Sequence, residues 1–347
     1  RIPDNQHTEA LIGEAMRITN ICINGDGDHL GGSLRQLAED LAFFQECGFD
    51  GVELSAPGLD VVINGKLWPA QVDRVRAITE RFDFVYSVHG HDQINFCFPS
   101  QEPRGRPGWA MEHDVFVAGL DFCAAIGAGV MVYHSGLIAL NEVAAGLAPL
   151  PDDEALEEAR QREVAALREL VPLAAERGVV VAMENRDPHP WEIATLRRAG
   201  VSDGELLKYH AGLSMPRLVQ QVEAVNHPNL GLTLDFGHLF LAAHHFGFDY
   251  LEAIRQAAPH VRHLHASDNG GRLGGAFSNL NHCIAHGEGD LHLPPGWGSI
   301  PHVEALQQLP GYEGLYVLEI RPRFSEHFAE ALKTTRRILA QASGEGG

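Results

Sequence analysis

Eight times along the chain, a short β-rich apolar run gives way to a stretch with helical hydrophobic spacing. The strand runs are ITNICING (18–25), GVELSA (51–56), FVYSVHG (84–90), VMVYHSG (130–136), VVVAMENR (179–186), GLTLDFGH (231–238), VRHLHASDN (261–269) and LYVLEIRP (315–322). Between them lie SLRQLAEDLAFFQECG, WPAQVDRVRAITERF, EHDVFVAGLDFCAAIGA, the long DDEALEEARQREVAALRELVPLAAERG, SMPRLVQQVEAVN, FDYLEAIRQAA, IPHVEALQQL and a closing FSEHFAEALKTTRRILAQ, each with apolar residues on one helical face. Gly follows several helices where a left-handed residue ends the turn, as in ECG, ERG and IGAG. Near-continuous apolar strands belong to parallel sheets covered on both faces. Eight successive β/α units therefore predict an α/β fold, a (β/α)8 TIM barrel. An open doubly wound sheet is the alternative, but no GxGxxG follows the first strand, and no change of helix character marks a second domain. The expected organisation is an N-terminal arm over 1–16, a single TIM-barrel domain over 17–342 and a disordered tail over 343–347.

Three segments exceed the usual βα connection of about 2–6 residues: 90–111, 187–213 and 270–299. Each follows the C-terminal end of a strand, so each is expected over the active face of a barrel. Their length predicts a deep, partly covered pocket with Phe96, Trp191 and Trp297 as walls.

Polar residues at the C-terminal ends of barrel strands converge on one place although they are far apart in sequence. Collecting those ends gives His89, His134, Glu184, Asp235, His238, His265 and Glu319. A lone strand-end His or Glu is usually an ordinary solvated group. Seven of them on six successive strands ask for something else, because several carboxylates buried together are costly without a compensating cation. Glu184, Asp235, His265 and Glu319 offer three carboxylates and one imidazole, a set suited to one divalent ion. With no thiolate among them, Mn2+ is expected first, with Mg2+, Co2+ or Zn2+ as alternatives. Residues two apart on a strand share a face, so His263 accompanies His265, Arg186 accompanies Glu184, and Arg321 accompanies Glu319. The two arginines are expected to hold a ligating carboxylate or a substrate oxygen. Asp235 and His238, three apart, would face opposite sides of a regular strand, so Phe236-Gly237 is expected to turn the backbone.

Composition narrows the classes. The chain has 347 residues, 45% hydrophobic and 21% charged, with a formal net charge of −20. That charge favours solubility and disfavours a nucleic-acid partner, which normally needs a basic face. No apolar run reaches the ~20 residues that span a bilayer, and the opening fifteen lack a signal peptide's basic start and apolar middle. A cytoplasmic location with no membrane partner is expected. Five scattered cysteines form no CxxC pair, which argues against a disulfide framework and a thiolate zinc site. GxSxG, Walker and HExxH motifs are all absent.

ENR at the fifth strand, LDxxH at the sixth, HxHxxD at the seventh and LEI at the eighth together resemble the xylose isomerase-like TIM barrels, over nearly the whole chain from about Arg17 onward. That superfamily includes ketose 3-epimerases, hydroxypyruvate isomerase, inosose dehydratase and the endonuclease IV type of repair enzyme. In the sugar epimerase branch, the resemblance implies a single metal on Glu184, Asp235, His265 and Glu319, with the two glutamates as acid/base pair and His238 at the substrate. In the endonuclease branch it implies three zinc ions, with His89, His134 and His238 as further ligands. That branch also has an Asp-x-His ahead of Gly-Glu-Gly. Counting back from Gly287 puts Asn281 and Cys283 at those positions, which leaves the third zinc unsupported.

The expected chemistry is proton abstraction next to a carbonyl of a keto sugar or polyol derivative, through an enediolate. Glu184 and Glu319 exchange the carbon-bound proton, and His134 or His238 shuttles protons between oxygens. His89, His238, Arg186, Arg321, Trp191 and Trp297 are the expected substrate contacts. Epimerisation, isomerisation and β-elimination all start from that intermediate. A keto-sugar lyase or dehydratase is thus one alternative, an endonuclease IV-like phosphodiesterase another, and a sugar-binding barrel without turnover a third. Homo-oligomers are common among such barrels, though the sequence marks no interface.

Overall fold

The computed structural model describes residues 16–99, 108–274 and 279–344. The expected arm over 1–16, apart from Met16, and the last three residues of the expected tail lie outside the described residues. Eight parallel strands close into a barrel: β1 (Arg17–Gly25), β2 (Gly51–Ser55), β3 (Val85–His89), β4 (Val130–His134), β5 (Val180–Glu184), β6 (Leu230–Asp235), β7 (Val261–Ala266) and β8 (Glu313–Leu318). Neighbours pair in chain order and β8 returns to β1, with Cys22 opposite Val317 and Ile23 opposite Leu318. Closure leaves no sheet edge, which suits strands as apolar as these. β6 is buried at all six positions.

The helices cover the barrel because each presents a periodic apolar stripe. Leu34–Cys47 turns Leu37, Leu41 and Phe44 inward, is capped by the Ser33 hydroxyl accepting from Gln36 N, and stops at Gly48 (φ 90°). The long Asp153–Glu176 begins on the Asp152 cap and buries Val164, Leu167, Leu170 and Val171. It also buries Glu163, whose carboxylate accepts from the Tyr133 hydroxyl at 2.7 Å, Gly136 N at 2.6 Å and Gln221 at 2.8 Å. That network fixes the chain just past His134.

The segment 187–213 is not a bare loop. It folds into the helices Pro190–Arg198 and Leu206–Tyr209 around a small satellite core of Leu140, Ile193, Leu196, Leu206, Tyr209 and Leu213. A buried Glu192–His210 pair at 2.7 Å ties the two helices. The sequence pattern also missed a helix, Phe236–Phe246, whose residues Phe236 to Ala243 are all buried. Being apolar nearly all round, it lacks the one-sided spacing that betrays a surface helix. Among the described residues no helix is long and apolar enough to cross a membrane.

Candidate active site

Strand register brings the polar strand ends to one level. His134 lies opposite Glu184 across β4 and β5, and Asp235 lies opposite His265 across β6 and β7. Glu319 follows β8 directly, its backbone N–H donating to Ala266 O. One ligand atom from each of Glu184, Asp235, His265 and Glu319 falls within 4.8 Å of the others, and all four residues are buried. His265 Nδ1 sits 3.0 Å from Glu184 Oε1 and 3.4 Å from Glu319 Oε1.

Asp235 stands at a junction sharper than the sequence suggested. The chain passes from β6 into the helix Phe236–Phe246 with no loop, and Asp235 is its N-cap. Oδ1 accepts from His238 N at 2.5 Å. The helical turn, not a bent strand, therefore brings His238 back over the centre. Asp235 Oδ2 is buried without a hydrogen-bond partner. Burial, together with Glu319, Glu184 and Asp290 nearby, pushes the Asp235 carboxyl up to about 7 against the pull of His238. Such an orphaned oxygen among acids is what a cation would satisfy.

Two further groups flank this one, and a third, Glu53 with His263 and His265, joins it through His265. On one side are His89, His134 and Glu184; on the other are His238, Asp290 and His292. In the second group both imidazoles turn an Nε2 toward one carboxylate. His238 donates Nδ1–H to Asn185 O at 2.9 Å and His292 donates Nδ1–H to Glu319 O at 3.1 Å. Each Nε2 thereby faces Asp290, at 3.9 Å for His238 and in contact for His292, and Asp290 helps to raise both imidazoles above their ordinary pKa. His292 holds a left-handed φ of 47°, a strained position for a non-glycine residue. The first group differs. Arg186 donates to His134 Nδ1, so the ring proton sits on Nε2, which points at Glu184 Oε2 2.9 Å away. Burial and the Arg186 charge hold His134 neutral, with its pKa down to about 4. His134 is thus held between Arg186 and Glu184.

Beside the centre lies a cavity of about 350 Å³ lined by Asn24, Gly25, Asp26, Gly27, Asp28, Glu53, Ser55, Pro57, Gly58, His89, Asp92 and Glu319. A second cavity of similar volume shares Asn24 and Asp26 with it and is floored by Phe43, Phe44 and Phe328.

The sequence profile of the xylose isomerase-like TIM barrel matches residues 41–340. The chain belongs to that family. Among solved structures, this xylose isomerase-like barrel is similar to a D-tagatose 3-epimerase-like protein (20% identity, 93% of this chain and 99% of that one, TM-score 0.65). It is also similar to the IOLI protein with a binding zinc atom (19%, 95% and 99%, TM-score 0.60). A third is the 3-keto-D-glucoside 4-epimerase YcjR of E. coli (16%, 91% and 98%, TM-score 0.58). By sequence it is 26% identical over 155 residues to the protein MJ1311 of Methanocaldococcus jannaschii, a match spanning 44% of this chain and 41% of that relative's length.

Within this xylose isomerase-like frame the remaining expected contacts fall in different places. His89 lines the cavity, whereas Arg186 is committed to His134. Arg321 donates to Leu291 O at 3.2 Å and Asp290 O at 2.9 Å, so it clamps the backbone that carries Asp290. Trp191 lies beside His189 and Trp297 packs on Phe324 and His327; both are over a third exposed and neither borders the cavity. Phe96 is core, packed on Phe116 and Tyr133. Asn281 and Cys283 lie on the short helix Leu280–His286, ahead of Gly-Glu-Gly. A different Asp-x-His, Asp290 and His292, follows Gly-Glu-Gly and lies near His238. Glu53 was also missed, because it sits in the middle of β2 instead of at its end. The signal was a lone charge in the apolar run GVELS.

Proposed function

We propose that the chain is a divalent-metal-dependent isomerase or epimerase acting on a keto sugar. The carrying observation is the buried Glu184, Asp235, His265 and Glu319 group beside a cavity whose lining has five carboxylates and no Lys or Arg. That lining suits an uncharged polyhydroxylated substrate and repels phosphate. The donor set is oxygen-rich and two of its oxygens, Glu184 Oε2 and Asp235 Oδ2, make no hydrogen bond, so the residues fit a hard divalent ion, with Mn2+ the first choice. When bound there, the ion supplies positive charge against the oxygen of a developing enediolate. Glu319, which lines the cavity, takes the proton next to the carbonyl, and Glu184 from beneath returns it. His134 steadies Glu184 from Nε2, 2.9 Å away, and His238, pinned at Nδ1 by Asn185 O, offers Nε2 to a substrate oxygen or an ion. The likeness to proteins named as 3-epimerase-like and 3-keto-glucoside 4-epimerase agrees with this reading. The second cavity leaves room for a substituent on the sugar, so β-elimination from a 3-keto-glycoside uses the same residues.

The test is deuterium uptake from D2O by D-fructose, D-allulose, D-tagatose and 3-keto-glucosides, with Mn2+ added, read by mass spectrometry. Incorporation of one deuterium, lost with chelator, is expected; no exchange on any of them rejects enolisation. A second reading, phosphodiester hydrolysis at a multi-metal centre, is favoured by the His238–Asp290–His292 group alone. Elemental analysis showing three zinc ions, with nicking of abasic-site DNA, would select it.

A further inference from the structure

Inside the barrel, below the four-residue group, Glu53 meets two histidines of β7. The contact crosses the interior, because β1 and β8 separate β2 from β7 around the barrel. Glu53 Oε1 lies 2.9 Å from His265 Nε2, an ion-pair distance, and neither atom makes a hydrogen bond elsewhere. Glu53 Oε2 accepts from Ser87 Oγ at 2.8 Å and lies 2.8 Å from His263 Nε2. Ser87 is the register partner of Glu53 on β3, and His263 precedes His265 by two residues on the same face of β7. All four residues are at most 1% exposed.

We infer that Glu53 is the positioning residue of this centre: its carboxylate charge beside Nε2 of His265 keeps the ring proton on that side and Nδ1 turned to Glu184, Asp235 and Glu319. An imidazole between carboxylates on both sides has no choice of nitrogen built into it, so the outer acid decides. Glu53 decides because it is anchored. Ser87 and His263 hold one oxygen in place, and only the other is left for His265. His263 Nδ1 has no hydrogen-bond partner. A buried histidine using one nitrogen is a poor way to stabilise a core, but it is a good way to orient a carboxylate. This inference rests on the metal reading above.

The test is Co2+ titration of chelator-stripped wild type, Glu53→Gln and His263→Gln, followed by cobalt absorption, with thermal unfolding to verify folding. Glu53→Gln keeps the shape and removes the charge. It is expected to weaken binding about 10- to 100-fold at unchanged stoichiometry, and His263→Gln to weaken it less. In the Zn2+-loaded protein, 15N spectra should show His265 protonated at Nε2, with that proton exchanging faster in either variant. Wild-type affinity in a folded Glu53→Gln protein, when wild type itself binds Co2+, overturns the inference and leaves the metal reading intact. Loss of one whole equivalent also overturns it, since Glu53 would then be a ligand. If wild type takes up no Co2+, both fall. Should Glu53→Gln fail to fold, His263→Gln carries the same comparison.

Discussion

Asp235 does two jobs with two oxygens: Oδ1 starts a helix and Oδ2 faces the acids. Because its pKa is pushed up to about 7 in the stripped protein, the folded state keeps a proton that the unfolded chain releases near 4. Stability contributed by this group is therefore greatest in acid and falls as pH rises through that window. Asn cannot titrate and still caps a helix. Without metal, Asp235→Asn should thus gain on wild type from pH 4 to 7 by up to ~4 kcal/mol, then hold level. Urea unfolding of both proteins at several pH values measures it, and a flat difference removes the assigned strain. The residues that sequence reading found share one trait, a polar side chain at the end of an apolar run. Glu53 interrupts its run instead, and Asp290 and His292 belong to no strand, so their place depended on how residues 290–300 return to the barrel.

That return is governed at the next scale by Asp268, the last residue of HxHxxD. Its carboxylate accepts from Asn269 N at 3.0 Å, Gly296 N at 2.8 Å and Ile300 N at 3.1 Å, pinning the segment that carries His292. Gly298 allows the approach, since a Cβ there would lie 2.3 Å from Asp268 Oδ1. Asp268→Ala strands three backbone donors, so a loss of about 2–5 kcal/mol is expected. Amide exchange across 290–300 should quicken at least about tenfold while that of β4 and β5 stays slow; uniform quickening would mean a global rather than a local clamp. Among elements, the eight strands were legible because burial on both faces leaves an unmistakable run of apolar residues. The helix Phe236–Phe246 was not, since full burial erases the same one-sided signal that reveals its neighbours. The long segment 187–213 was expected over the active face by its length, and its own apolar residues gather into a satellite core.

For the molecule as a whole, the four proposed ligands come from β5 through β8 and the acid facing His265 from β2, so an ion bound there would tie distant parts of the closed barrel together. Mn2+ at 100 times its dissociation constant should add about 2.7 kcal/mol, seen as a rise in melting temperature that Asp235→Asn does not show. Equal shifts in both proteins would place the ion elsewhere. A net charge of −20 and an acidic cavity also predict no retention of duplex DNA at ~0.1 M salt in a gel-shift assay. The loopless passage from β6 into its helix has a kinetic meaning as well. A ligand held at such a corner has no hinge of its own, so it cannot swing aside to let an ion in or out. An ion reaching the proposed centre would therefore meet Asp235 already in its final place, held by the turn that starts the helix.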